Sequence, residues 1–95
     1  MLTLNDFTHC YCQIALRHPV RDETIVLRTE LHKGQWEVRE LTYMMRSVAE
    51  VAAHRNRSTL AGYVRAAAFA RRRAYELKRR GYRISKAATN YKWIP

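Results

Sequence analysis

The residues best suited to chemistry in this chain lie between Tyr63 and Arg83, YVRAAAFARRRAYELKRRGYR. Eight Lys and Arg and a single acid, Glu76, are interleaved there with Phe69, Tyr75 and Tyr82. Guanidinium groups grip phosphate or carboxylate oxygens with a fixed fork of donors, and aromatic rings among them can stack on exposed bases. The candidate contacts are Arg55, Arg57, Arg65, Phe69, Arg72, Arg73, Arg79 and Arg80, continued towards the C-terminus by Lys86, Lys92 and Trp93. The plainer alternative is a solvated basic helix with ordinary surface tyrosines. Catalysis finds no support. The acids are scattered, and there is no Gly-rich phosphate loop, no paired carboxylates and no Ser/His/Asp or Cys/His arrangement, so neither an enzyme nor a cofactor is expected. His9, Cys10, Cys12 and His18 lack the paired CxxC or HxxxH spacing of a zinc site, so Cys10 and Cys12 are expected to be buried thiols and no metal is expected.

Charge is distributed as unevenly as it is abundant. Residues 1–54 hold six Lys and Arg against seven Asp and Glu, whereas residues 55–95 hold twelve against one, within a net charge of +10. A neutral scaffold carrying a polyanion-binding element shows this asymmetry. With 95 residues the chain has room for a single domain, 1–95, and one modest core, so a second copy would add buried surface and a homodimer is compatible with its size. No apolar run of about 18 residues occurs, and the opening MLTLNDFTHC lacks the basic start and apolar stretch of a signal peptide. A soluble, cytoplasmic protein without membrane contact is expected.

Positioning these residues requires a scaffold, and the first forty residues read as strands. Phe7 to Arg17 places Cys10, Cys12, Ile14 and Leu16 on one face; after the break at Pro19, Glu23 to Leu31 places Ile25, Leu27, Thr29 and Leu31 on one face. A turn through Gly34, which can take the positive φ of a tight hairpin, leads into Trp36 to Arg39. Leu41, Met44, Met45, Val48, Val51 and Ala52 fall on one helical face, so an amphipathic helix is expected from Thr42 to His54, ending near Asn56. A second helix is expected from Thr59 to Arg80, capped by Ser58 or Thr59 and stopped by Gly81. Leu60, Tyr63, Val64, Ala67, Ala70, Ala74 and Leu77 would dock it, while Arg65, Phe69, Arg72, Arg73, Arg79 and Arg80 would face outward, and Ala66, Ala67, Ala68 and Ala70 make it slim. The expected fold is α+β: a three-stranded antiparallel meander (1–40), a helical pair with a basic second helix (41–81), and an irregular basic and aromatic tail (82–95).

The segment VRELTYMMRSVAEVAAHRNRSTLAGYVRAAA, from Val38, resembles the ribbon-helix-helix DNA-binding family, with Thr59-Leu60-Ala61-Gly62-Tyr63-Val64-Arg65 filling its small-polar, apolar, small, Tyr, Val, Arg pattern. The resemblance covers about a third of the chain. It implies a strand residue such as Glu37 or Arg39 in the major groove, paired strands from two subunits, and Ser58 and Thr59 on phosphate. The expected function is therefore a small basic nucleic-acid-binding accessory protein, with DNA favoured over RNA by that resemblance alone. The alternative is a phage- or plasmid-encoded inhibitor of anti-CRISPR or nuclease-inhibitor type. It would use the same basic face, with Phe69 as anchor, against the acidic surface of a host nucleic-acid-handling complex.

Overall fold

The computed structural model describes residues 12–86 and Thr89. Five strands and one helix follow in the order β1 (Cys12–Arg17), β2 (Glu23–His32), β3 (Gln35–Met44), β4 (Ser47–Arg57), α1 (Leu60–Arg79) and β5 (Arg83–Ile84). The strands form one antiparallel sheet in the order β4-β3-β2-β1-β5, and α1 lies across its strands on one face. The expected meander followed by two helices is thus replaced by a five-stranded sheet with a single helix. Residues 7–11, expected at the start of the first strand, lie outside the described residues.

Period-two patterning makes the sheet one-sided. Cys12, Ile14 and Leu16 of β1, Ile25 and Leu27 of β2, and Trp36 and Val38 of β3 are all buried in a single core under α1. The β2–β3 hairpin closes on the pair His32 and Gln35, with Lys33 at φ 49° and Gly34 at φ 75°. Two successive positive φ values suit the right-handed twist of the strands, as a type I′ turn requires.

The segment 42–54 is where expectation and structure part. Thr42, Tyr43 and Met44 extend β3 along the full ten-residue ladder with β2, and Ser47–Arg57 returns as β4 after a turn at Met45-Arg46. Asn56 sits within β4 rather than at a left-handed helix end. Ladder hydrogen bonds from β2 to the end of β3, and from β3 to β4, thus override a helical wheel that in isolation looked adequate. A bulge where the β3 partner passes from Val38 to Arg39 leaves Ala53 as the extra residue of β4. The ribbon-helix-helix arrangement needs two helices after its strand; here only the second forms. Glu37 and Arg39, which that resemblance would place in a groove, are instead engaged with one another on the sheet.

Only Ser58 and Thr59 separate β4 from α1, so the helix must fold straight back over the sheet. Thr59 Oγ1 accepts a hydrogen bond from the Gly62 N–H at 3.0 Å, satisfying one orphan donor of the first turn. At the other end Arg80 and Gly81 donate to the Leu77 and Lys78 carbonyls, and Gly81 takes φ 96°, stopping the helix where expected. The buried face of α1 is Gly62, Tyr63, Ala66, Ala67, Ala70, Ala74 and Leu77. Its small residues let the helix settle close to a sheet that supplies the bulk, including Trp36, which meets Tyr63 edge to face at 4.8 Å. The slimness of Ala66, Ala67 and Ala70 therefore serves the chain's own core. Leu60 and Val64, expected to dock, are each 41 % exposed.

Candidate nucleic-acid interface

A helix packed by one face must present the other, and 100° per residue fixes what it presents. Arg65, Arg72 and Arg79 recur at intervals of seven along the solvent face of α1, with the exposed Ala61 before the first and Ala68 between the first two. At 1.5 Å per residue the guanidinium-bearing positions stand about 10.5 Å apart over a stripe of about 21 Å. Beside the stripe run Arg71, Tyr75 and Lys78, all exposed.

What keeps this face positive is the placement of the acids. Glu37, only 3 % exposed on the sheet face away from α1, sits between Arg39 at 3.1 Å and Arg55 at 3.6 Å. Arg39 also reaches Glu50 at 2.7 Å and Glu30 at 3.7 Å, and its pKa is raised chiefly by the hydrogen bond to Glu50. Glu40 takes Arg73 through a two-pronged contact of 2.8 and 3.2 Å. Glu23 shares a cleft with Tyr82, whose pKa is raised, first by burial and then by that carboxylate. Asp22 lies 3.8 Å from Arg17. Among the described residues, no carboxylate pairs with Arg65, Arg72 or Arg79. Glu76 is the one acid of the helix, and it too holds Arg73, at 3.2 Å.

Several expected contacts therefore change role. Arg73 is an internal tie between α1 and β3, with its pKa raised mainly by the Glu40 hydrogen bond, and is removed from the outward set. Phe69 is not an exposed anchor: it is half-buried, packs on the core and stacks on His54 with centroids 4.8 Å apart and planes 20° apart. Arg55 is drawn to Glu37, and both Arg55 and Arg57 lie on β4, on the sheet face away from α1. Arg80, at the helix C-cap, lines a cleft of about 550 Å³ with Arg21, Glu23, Arg73 and Tyr82. Lys86 is exposed after β5, and Lys92 and Trp93 lie outside the described residues. Of the expected contacts, Arg65, Arg72 and Arg79 are brought together on one face.

Arg71 and Lys78 were missed, and Tyr75 was noted only for being interleaved with basic residues. Their spacing of four and then three residues is the available signal, since it puts all three on one flank of a helix. Together with Ile14, Ala74 and Ile84 they line a groove of about 180 Å³ between α1 and the β1–β5 edge. Of the expected buried cysteines, Cys12 is buried with its sulfur 2.6 Å from the Tyr63 hydroxyl, and Cys10 lies outside the described residues. Among the described residues no His, Cys, Asp and Glu cluster could hold a metal, and no helix is long and apolar enough to cross a membrane. No protein-family model, curated protein or solved structure matches the chain.

Proposed function

We propose that the chain is a small nucleic-acid-binding accessory protein that holds the phosphate backbone of DNA with the solvent face of α1. The observation that carries this reading is segregation of charge. The described acids sit on the sheet face, on Arg73, on Tyr82 or on Arg17, while the stripe Arg65, Arg72 and Arg79 faces solvent without a carboxylate partner among the described residues. Its length matches about six base-pair steps, at one phosphate per 3.4 Å on each strand. DNA is favoured on a new ground, since the ribbon-helix-helix arrangement is not formed. The outer half of α1 is slim at Ala61 and Ala68, and the major groove of B-form DNA admits a helix where that of A-form RNA does not.

A second reading, an inhibitor of a host nucleic-acid-handling complex, is favoured by the β3–β4 hairpin. Tyr43, Met44, Met45, Val48 and Val51 are all exposed there, an apolar cluster of the kind that marks protein interfaces. The same hairpin supports a homodimer: among the described residues β4 ends the sheet, and antiparallel pairing of two β4 edges would place both basic helices on one side.

The test is a titration of fluorescently labelled DNA and RNA duplexes of one sequence at two salt concentrations. Binding that weakens steeply with salt, and DNA bound more tightly than RNA, supports the reading. Salt-independent or absent binding to both favours the inhibitor.

A further inference from the structure

The groove beside α1 has a construction that phosphate binding alone does not require. Its floor is apolar: Ile14 is 1 % exposed and Ala74 4 %, with Ile84 half-buried against the same core. Its rim is cationic and aromatic, formed by Arg71, Tyr75 and Lys78, and among the described residues no acid lines it. Tyr75 is the informative residue. The residue is 61 % exposed, outside the core cluster, with the Lys78 ammonium 5.8 Å from its ring centroid.

We propose that this groove is a subsite for one unpaired nucleobase of the bound strand, stacked against Tyr75 over the Ile14, Ala74 and Ile84 floor, with Arg71 and Lys78 meeting its flanking phosphates. The inference rests on the nucleic-acid reading above and names the part of the ligand that reading leaves open. Size and charge together select the occupant. At about 180 Å³ the groove is smaller than the roughly 300–1,000 Å³ typical of drug-sized sites, so it takes one ring system. A planar apolar body joined to anionic groups on both sides describes a nucleotide within a chain. The position fits as well, because Tyr75 also borders a hollow of about 300 Å³ shared with Arg72, Arg79 and Glu76, the last engaged by Arg73, which places the subsite directly beside the phosphate stripe.

The test uses the full chain and three labelled probes: a blunt 12-base-pair DNA duplex, the same duplex with a three-nucleotide overhang, and that duplex with an abasic overhang. The intact overhang should bind roughly tenfold more tightly than the blunt duplex, the scale of one stacked base. The abasic overhang and Tyr75→Ala should each remove that gain, read as the ratio of overhang to blunt affinity within each variant, while Tyr75→Phe keeps it. A gain that persists with the abasic overhang or in Tyr75→Ala, or no gain at all, overturns the subsite while salt-dependent duplex binding leaves the nucleic-acid reading standing. Loss of salt-dependent binding to all three probes overturns both. Tyr75 is exposed, so unchanged thermal unfolding of its variants separates binding from folding.

Discussion

Arg72 and Arg73 are neighbours in sequence and opposites in role. A 100° step turns Arg72 to solvent and Arg73 towards β3, where Glu40 and Glu76 hold it. Substituting Arg73 by Ala removes hydrogen bonds to charged groups and strands a half-buried carboxylate. Thermal or urea unfolding should show a loss of about 1–2 kcal/mol, with nucleic-acid affinity following only through stability. Arg72→Ala should stay within about 0.5 kcal/mol of wild type in the same experiment and lower affinity instead. Charge and wheel position placed both residues on one face, and nothing local distinguishes them. The partner Glu40 lies 33 residues away in sequence and meets Arg73 only because β3 and α1 cross as they do. Tyr82 gives a pH signature at the same scale. Its folded-state pKa lies above the unfolded value of about 10, first through burial and then through Glu23. The associated stability is therefore complete below about pH 10 and is lost as pH rises through the folded pKa. Unfolding followed between pH 8 and 11 should show this alkaline loss, flattened in Tyr82→Phe.

The elements were legible where the local signal and the tertiary partner agree. β2, the Gly34 turn and the limits of α1 all carried signals of their own: period-two alternation, a residue able to take positive φ, the Thr59 cap and the Gly81 stop. The β3–β4 hairpin carried none. Its turn at Met45-Arg46 uses neither glycine nor a positive φ, and its strands are exposed on both faces near the tip, so no alternation marks them. Ala, Met and Glu are also good helix formers, so a helical wheel filled the gap. The β4–α1 junction gives a direct test. Alanine favours helix over glycine by about 1 kcal/mol, yet a Cβ at Gly62 would collide with the Arg57 carbonyl oxygen. Gly62→Ala should therefore destabilise the chain in chemical unfolding, and Thr59→Ala should cost about 1 kcal/mol through loss of the cap.

Across the whole molecule the sheet and the helix divide the charge between them. The face of the sheet away from α1 sets Glu30, Glu37 and Glu50 around Arg39 and Arg55, which leaves the helix as the positive surface. The sequence showed the asymmetry between its halves. It did not show that Arg55 would be drawn back to Glu37, because that contact needs β4 to pair with β3. The open β4 edge should make association concentration-dependent. Sedimentation should detect dimers that Val51→Lys, placing a charge on the exposed edge, returns to monomers.

The central claim is that the Arg65, Arg72 and Arg79 stripe meets phosphates, and the dependence of duplex affinity on salt concentration tests it most directly. With three or four phosphates engaged, log K should fall against log salt with a slope of about −3 to −4, and Ala at each of the three positions should reduce that slope by about one. A slope near zero, or one that the three substitutions leave unchanged, would contradict the account.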